Sequence, residues 1–180
     1  CINRLDRDTT GLIVLAKHAL SAAVLSQAMR SREIHRTYQA FALGETAASG
    51  TIDAPIARLN GSLIQRTVDF ASGERSVTHY RTLAHCSVFS HLELNLETGR
   101  THQIRVHFAH LGTPLVGDSL YGTAPVGTRH LLHCKTIRLM HPVREEPVTF
   151  DCPFPSDMEE WNQCLPTALT TSLPASCCPP

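Results

Sequence analysis

The segment NRLDRDTTG at residues 3–11 places two carboxylates, Asp6 and Asp8, among two guanidinium groups. The apolar run GLIVLAK at residues 11–17 follows it and predicts a buried strand. An aspartate at the mouth of such a strand stays ionised when an arginine lies within hydrogen-bond reach, because the opposite charge lowers its pKa. An ionised carboxylate in that position can act as a nucleophile or as a base. A solvated loop with surface ion pairs is the alternative interpretation.

A second segment, LETGRTHQIRVH at residues 96–107, also holds more polar and charged groups than packing requires. Thr98–Gly99 is expected to end a strand, and Thr101 is expected to be the N-cap of a helix. The predicted helix runs to Leu111, and Gly112 is placed to end it. Its apolar residues at helical spacing are Ile104, Phe108 and Leu111.

His102 and Arg105 are three residues apart on this predicted helix, so we expect them to share a face near its N-terminus. The dipole and the free amide groups of that end favour anions, so a phosphate or a carboxylate is expected to dock there. Metal binding is the alternative for the histidines of the segment, which are His102, His107 and His110. Two of their spacings do not bring ligands together on one face, and no H-E-x-x-H is present, so we predict no metal site.

A third segment, RTYQA at residues 36–40, places Tyr38 in a predicted strand. A tyrosine in a strand most often packs in the core or at a sheet edge. Tyr38 becomes a candidate functional residue only in combination with the other two segments.

The elements that position these groups are predicted from the period of the apolar residues. An amphipathic helix is expected from Ala19 to Ser31, because its apolar residues recur every four positions. Strands are expected at residues 36–43, 76–83, 91–97, 135–140 and 147–152, the last two as a hairpin. The expected fold class is α+β, with a mixed, mostly antiparallel central sheet and a few flanking helices.

The composition excludes several classes of protein. The chain has 180 residues, with 16 Lys and Arg against 16 Asp and Glu, and 42% of its residues are hydrophobic, as in ordinary globular domains. No apolar run approaches the roughly 20 residues that a membrane-spanning helix needs. No secretory signal is recognised at the start of the sequence.

The seven cysteines form an odd set without C-x-x-C spacing, which supports neither a zinc finger nor a disulfide framework. We therefore expect reduced cysteines and a cytoplasmic protein. One domain is expected over residues 1–164, followed by a Pro- and Ser-rich flexible tail over residues 165–180.

Together, the segments resemble the RluA-type family of RNA pseudouridine synthases. The similarity lies in RLDRDTTGLIVLAK (residues 4–17), RTYQAFALG (36–44) and LETGRTHQIRVHFAHLGTPLVGDSLYG (96–122). LLHC (131–134) and HPVREEPVTF (141–150) support it, and all five occur in the family's order and approximate spacing. The first and third motifs are long and specific.

The resemblance implies an enzyme that isomerises uridine to pseudouridine within RNA, without a cofactor or a metal. The Asp of the family's R-L-D motif, the catalytic nucleophile or base, falls on Asp6 and not on Asp8. The family's strand tyrosine, which stacks on the target base and is thought to assist proton removal, falls on Tyr38. The arginine of the H-Q-I-R segment, which pairs with the catalytic aspartate in the family, falls on Arg105. Arg4 matches the arginine that holds the place of the flipped nucleotide.

RNA is the expected partner, and the chain is expected to be a monomer. The target base must leave the RNA stack at a cost of a few kcal/mol, and Tyr38 offers a stacking face worth ~1–3 kcal/mol per base. Other side chains are expected to bind the RNA without reading its sequence. These candidates are Arg4, Arg7, Arg30, Arg36, Arg100 and His102.

Two departures from the family pattern bear on this interpretation. Asn3 stands where many members have His before R-L-D, a change that we expect to be tolerated. Members also have a strand-rich segment with a Lys-Pro motif before R-L-D, and often a small N-terminal RNA-binding domain. We expect a catalytic domain that lacks those N-terminal strands.

The motifs look closest to the large-subunit rRNA branch of the family, so rRNA is the expected substrate and tRNA the second choice. A domain that binds RNA without turnover is a rival from another functional class. A glycoside hydrolase that uses Asp6 and Asp8 is a third interpretation, because residues two apart on a strand point the same way. The single Trp and 6% aromatic residues leave little for a sugar-stacking cleft.

Overall fold

The computed structural model describes residues 1–122 and 127–165. The helices of these residues are α1 (Ala19–Arg30), α2 (Gln103–His110) and α3 (Ser156–Gln163). The strands are β1 (Thr10–Gly11), β2 (His35–Leu43), β3 (Ser49–Asp53), β4 (Ile56–Arg58), β5 (Arg66–Val68), β6 (Val77–His85), β7 (Phe89–Leu96), β8 (Leu132–Met140) and β9 (Pro147–Asp151). None of these helices is long and apolar enough to cross a membrane.

Seven strands form one sheet in the order β1-β8-β2-β7-β6-β3, with β9 also paired to β8, and β4 pairs with β5 separately. In the large sheet, β1 is parallel to β8, and the other neighbours are antiparallel. This arrangement confirms the α+β class and the mostly antiparallel sheet expected from the sequence.

The main core covers one face of the central strands. Ala40 of β2 and Leu92 of β7 are register partners and are fully buried on this face. Helix α2 packs Phe108 against them, and α1 adds Leu25. Burial of each Leu or Phe side chain contributes about 1.5–3 kcal/mol. Tyr38, two residues before Ala40, belongs to the same cluster and also lines a cavity.

A second core lies on the opposite face of β2. Phe41 packs edge-on against Phe89 of β7, with ring centroids 5.9 Å apart. Met158 and Trp161 of α3 cover this pair. Because α3 buries only these two side chains, three residues apart, the sequence offered too little periodicity to predict it.

The apolar run at residues 11–17 is not a buried strand, contrary to the expectation. Only Thr10–Gly11 pairs with β8, because β9 occupies the same edge of β8 from Thr136 onward. Beyond Gly11 the side chains alternate between packed and exposed positions, and Ile13 and Leu15 are 48% and 70% exposed. Their neighbours Leu12, Val14 and Ala16 pack against the main core.

The other predicted strands are confirmed as β2, β6, β7, β8 and β9, with ends that shift by up to three residues, and the first predicted helix is confirmed as α1. The short strands β3, β4 and β5 were not predicted. The flexible tail expected at residues 165–180 lies, apart from Leu165, outside the described residues.

Candidate active site

Asp6 opens a tight turn at the edge of a cavity. Its carbonyl oxygen accepts a hydrogen bond from the amide of Thr9 at 3.0 Å. Asp8 has a left-handed backbone with φ of 70°, which aspartate tolerates better than most residues. Arg7 and Asp8 lie at the exposed tip and pair with each other at 3.6 Å. Asp6 faces the cavity and Asp8 does not, so the carboxylate pair required by the glycoside hydrolase interpretation is absent from the cavity lining.

Side chains anchor the turn on both sides. Thr9 Oγ1 lies 2.8 Å from His130 Nε2, and Thr10 Oγ1 lies 2.8 Å from His133 Nδ1. Asn3 is buried, and its Oδ1 accepts a hydrogen bond from the amide of Val14 at 2.8 Å. Asn3 therefore joins the chain before Asp6 to the chain after it.

Gly11 sets how closely this segment approaches the sheet. Its φ is 111°, a conformation that L side chains rarely adopt. A Cβ at this position would collide with the backbone carbonyl of Cys134 in β8. Only glycine fits here without strain, and the close approach of β1 to β8 places Asp6 beside β2.

The cavity has a volume of about 610 Å³, within the range of ordinary ligand sites. Residues before α1, the end of α1, the start of β2 and the segment after β7 line it. Five of the lining residues are arginines and two are acidic; they are Arg4, Arg30, Arg32, Arg36 and Arg100, with Asp6 and Glu97. The lining is therefore positively charged, as a polyanion requires.

Tyr38 lies on β2 at the floor of this cavity and is 5% exposed. A guanidinium nitrogen of Arg36 donates to its hydroxyl oxygen at 3.2 Å. Burial raises the pKa of Tyr38 well above its ordinary value of 10.0, although the charge of Arg36 acts in the opposite direction. The hydroxyl of Tyr38 is therefore protonated at neutral pH.

Arg105 of α2 and Asp118 form a buried bidentate ion pair. Nε of Arg105 lies 2.7 Å from Oδ2 of Asp118, and a terminal nitrogen lies 2.8 Å from Oδ1. Oδ1 also accepts the amides of Leu120 and Tyr121. Burial lowers the pKa of Arg105, but the hydrogen bonds and charge of Asp118 outweigh it and leave that pKa raised. Burial raises the pKa of Asp118, but Arg105 outweighs it and leaves that pKa lowered, so both groups stay charged.

The resemblance led us to expect an ion pair between Arg105 and Asp6, and the structure corrects this. Asp118 takes the guanidinium fork of Arg105, and the Asp6 carboxylate forms no ion pair within residues 1–122 and 127–165. The charge of Asp6 still acts on Tyr38 and on Arg105, in each case raising the pKa. Asp6 and Tyr38 thus line the same cavity, whereas Arg105 is not among the lining residues and is linked to Asp6 by charge alone.

Neither arginine of the first segment pairs with Asp6 as expected. Arg4 reaches across the cavity and donates to Thr101 Oγ1 at 3.4 Å, and Arg7 pairs with Asp8. Arg4 nevertheless lines the same cavity as Asp6, whereas Arg7 does not.

Gln103 holds the segment between β7 and α2. Its Oε1 accepts the hydroxyl of Thr98 at 2.8 Å and the amide of Arg100 at 2.9 Å. Its Nε2 donates to the carbonyl of Val77 and to Thr78 Oγ1. Gln103 could not be singled out from the sequence, because its four partners come from two separate parts of the chain.

His102, and not Thr101, occupies the N-cap position of α2, with a left-handed φ of 59°. The expected helical face shared by His102 and Arg105 does not form, because the backbone turns before the helix begins. Nδ1 of His102 lies 2.7 Å from the hydroxyl of Tyr121 instead. Leu111 also departs from the expected apolar face and is 46% exposed.

The three histidines considered as metal ligands lie in different surroundings. His102 contacts Tyr121, whereas His107 is buried and joins Thr78 Oγ1 to the carbonyl of Ala54. The ring of His110 lies 6.3 Å from that of Phe70. Within the described ranges, no group of three or more His, Cys, Asp or Glu residues could hold a metal ion.

Of the six candidate RNA-binding residues, Arg4, Arg30, Arg36 and Arg100 line the cavity. Arg7 lies in the exposed turn, and His102 contacts Tyr121 and is not among the lining residues. The sequence did not point to Arg32, which also lines the cavity, or to the role of Asp118 as the partner of Arg105.

Comparison with known proteins decides the family. Residues 1–110 match the family model described as RNA pseudouridylate synthase. The chain belongs to this family. The resemblance to RluA-type synthases seen in the three sequence segments is thereby confirmed.

Two curated synthases show how far the similarity extends. The chain is 44% identical over 162 residues to the "Uncharacterized RNA pseudouridine synthase YhcT" of Bacillus subtilis (strain 168). It is 42% identical over 174 residues to the "Ribosomal large subunit pseudouridine synthase D" of Escherichia coli (strain K12). Each match covers 88% of this chain and 53% of the relative, so the chain spans about half the length of these synthases.

Solved synthase structures share the fold. "Human RNA Pseudouridylate Synthase Domain Containing 1" superposes with a TM-score of 0.76 at 28% identity, over 86% of this chain and 68% of that one. "Human RNA Pseudouridylate Synthase Domain Containing 4" gives a TM-score of 0.72 at 22% identity, over 88% and 72%. The second comparison shows likeness of fold alone.

Proposed function

We propose that this chain isomerises uridine to pseudouridine within RNA, with residues 1–164 as the catalytic domain. The observation that carries the proposal is the position of Asp6. Its carboxylate lines a positively charged cavity beside Tyr38, within electrostatic reach of Arg105, in a member of the pseudouridylate synthase family.

The reaction breaks the bond between C1′ of the ribose and N1 of the uracil, and it forms a bond between C1′ and C5. C5 loses its proton and N1 gains one, so the product is an isomer and nothing is consumed. A single carboxylate that is regenerated in every turnover is enough for this sequence. Asp6 fills that role by adding to the pyrimidine ring, by attacking the sugar or by acting as a base.

The surroundings of Asp6 suit this role. Because no described residue forms an ion pair with it, its oxygens are available to the substrate. Arg105 contributes a fixed positive charge nearby, oriented by its bidentate contact with Asp118. A preorganised charge of this kind stabilises the negative charge that develops on uracil when the glycosidic bond breaks.

Tyr38 offers a ring face at the cavity floor on which the flipped uracil can stack. Its hydroxyl is protonated, because burial raises its pKa, so we assign it binding and proton donation rather than the role of an ionised base. A closed floor also retains the detached uracil while it rotates.

We assign RNA backbone contacts to Arg4, Arg30, Arg36 and Arg100, whose guanidinium groups match phosphate geometry. Arg7 is placed to contact RNA outside the cavity, from the exposed turn. His102 has only Nε2 to offer, because Tyr121 engages its Nδ1.

Large-subunit rRNA is the proposed substrate, because a relative at 42% identity is a ribosomal large subunit pseudouridine synthase. Transfer RNA is the second substrate to test. We further propose that the enzyme acts as a monomer in the cytoplasm.

Release of tritium from RNA transcribed with uridine labelled at C5 tests the proposal, because each isomerisation frees one label as water. We expect release from large-subunit rRNA transcripts by the wild-type chain. RNA binding without release, by a chain shown by circular dichroism to be folded, would instead support a domain that binds RNA without turnover. That result would contradict the proposed activity.

A further inference from the structure

A second cavity of about 390 Å³ lies against the first. The β4–β5 hairpin forms one side, and residues 99–101, which also line the first cavity, form the other. Its lining consists of Ile56, Ala57, Arg58, Arg66, Ser72, Glu74, Gly99, Arg100 and Thr101. None of these described lining residues is aromatic, so the cavity offers no surface for stacking a base.

The charges of this second cavity favour an anion. Three arginines line it against one acidic residue, Glu74. Arg100 pairs with Glu74. Arg58 is exposed, and its side chain forms no hydrogen bond or ion pair with any part of the chain that the structure describes. Among the described residues, the guanidinium of Arg66 donates only to the carbonyls of Ile64 and Gln65 beside it.

The wall that carries these arginines is fixed to the active-site frame. The amide of Arg66 donates to the hydroxyl of Tyr121 at 2.9 Å, and Gln65 Nε2 donates to the carbonyl of Leu120 at 3.4 Å. The guanidinium carbon of Arg105 lies over the ring of Tyr121, 5.1 Å from the ring centroid. Through Tyr121, these contacts fix the position of the hairpin relative to Arg105.

Glu74 is also held in place. Its amide donates to the carbonyl of Ile56 in β4, and its carbonyl accepts the amide of Ile56, both at 2.9 Å. Its carboxylate is exposed, however, and contacts Arg100 from the solvent side. An exposed pair of this kind contributes little to stability, so a stronger anion can take the place of the carboxylate.

We propose that the second cavity binds a backbone phosphate of the RNA strand that flanks the target nucleotide, and that the Glu74 carboxylate occupies this anion position until RNA arrives. The inference rests on the proposed function, because only an RNA strand entering the first cavity brings a phosphate to the second. Arg58 and Arg66 face the phosphate, and Arg100 exchanges Glu74 for it.

Arg58→Gln tests the phosphate contact. Binding of a large-subunit rRNA transcript is measured by filter retention over a range of salt concentrations. The plot of log K against log salt has a negative slope, and loss of one phosphate contact makes it less steep by about 0.7–0.9. If affinity at 1 M salt is unchanged, this is about a five- to eightfold loss of affinity at 0.1 M salt. Arg144→Gln is the matched control, because Arg144 is exposed, pairs with Glu146 and lies outside both cavities. Equal slopes for the two variants would overturn the inference.

Glu74→Gln tests the displaced carboxylate. Because the phosphate no longer competes with a carboxylate for Arg100, binding is expected to tighten about threefold or more, which is about 0.7 kcal/mol. Glu146→Gln, which removes the same charge from the Arg144 pair, shows the effect of net charge alone. Unchanged or weaker binding by Glu74→Gln relative to Glu146→Gln would contradict the role of Glu74.

Tritium release separates this inference from the proposed function. If wild-type release is normal and the Arg58 and Glu74 variants behave as their controls do, the second cavity is not a phosphate site and the proposed function stands. If the variants shift binding as expected but no chain releases tritium, the phosphate site stands and the proposed activity fails.

Discussion

Arg105 and Asp118 share two hydrogen bonds of 2.7 and 2.8 Å in the interior, although they are thirteen positions apart in the sequence. The side chains are 7% and 0% exposed. Because Asp118 also accepts the amides of Leu120 and Tyr121, it joins the guanidinium of Arg105 to the loop that holds the β4–β5 hairpin. This contact fixes the orientation of the Arg105 charge, which interacts electrostatically with Asp6.

We expect Asp118→Asn to destabilise the fold by about 3–5 kcal/mol, because it leaves the charge of Arg105 buried without a partner. Urea denaturation measures this loss. The double change Arg105→Met with Asp118→Asn removes both charges and keeps the oxygen that accepts the two amides. It is expected to recover part of the stability but no tritium release. A double variant that recovers both would show that Arg105 is dispensable for the reaction.

Tyr38→Phe keeps the ring face and removes the hydroxyl. Since burial raises the pKa of Tyr38, its hydroxyl stays protonated from pH 7 to 9 in the wild type. We therefore expect the variant to bind RNA normally and to release tritium more slowly by a factor that does not change with pH. A ratio of wild-type to variant rates that grows as pH rises would mean that an ionised Tyr38 takes part.

Gly11→Ala is expected to loosen the segment that carries Asp6. The new Cβ would meet the backbone of Cys134, in addition to the left-handed strain of ~1–2 kcal/mol. Gly44→Ala is the control for strain alone, because Gly44 has φ of 78° and nothing lies within 4 Å of its added Cβ. We expect Gly11→Ala to cost more unfolding free energy than Gly44→Ala and to lose activity. Equal costs would show that β8 yields to the added methyl.

The buried His91 makes stability depend on pH. Its ring stacks on Phe41 with centroids 4.7 Å apart, and burial lowers its pKa from 6.5 to about 4, against a smaller opposing effect of Glu93. The unfolded chain therefore takes up a proton before the folded chain does. The stabilisation is present above pH 6.5 and is lost as pH falls to about 4, by about 3 kcal/mol for this group.

Replacement of His91 by Phe removes this proton uptake. We expect the unfolding free energy of the variant, from urea titrations at pH 7 and pH 4.5, to fall less than that of the wild type. Identical losses in the two proteins would mean that His91 takes up its proton in the folded state as readily as in the unfolded chain.

Periodicity in the sequence was enough to predict the elements that bury one face. Strand β7 alternates Leu92 and Leu94 with Glu93 and Asn95, and it was predicted with its buried face. Helix α1 was also predicted from its four-residue repeat, but Leu20 and Val24 of that repeat are 72% and 41% exposed, and only Leu25 is buried. Strands β4 and β5 have three residues each, too few for alternation to be seen. The second cavity escaped prediction because this hairpin forms one of its walls.

The family motifs led us to propose Asp6, Tyr38 and Arg105 as catalytic residues, and those roles stay predictions. The structure places Asp6 and Tyr38 on one cavity, with Arg105 outside its lining. From the family pattern, Asp6 was expected to be the partner of Arg105. The sequence does not show that the chain after α2 folds back and brings Asp118 to the guanidinium. The direction of the turn from Asp6 to Thr9 likewise depends on anchors in β8 and in the loop before it, which are remote in sequence.

Tritium release by Asp6→Asn and Asp8→Asn, measured beside the wild type on the same C5-labelled rRNA transcript, tests the central claim most directly. The two substitutions remove the same charge two residues apart, but only Asp6 lines the cavity, and Asp8 pairs with Arg7 at the exposed tip. We expect Asp6→Asn to lower release by about 10²–10⁴-fold or more while RNA binding persists. Asp8→Asn is expected to stay within about threefold of the wild type, as for the loss of an exposed ion pair. Normal release by Asp6→Asn, or loss of release by Asp8→Asn alone, would contradict the assignment of Asp6 as the reacting carboxylate.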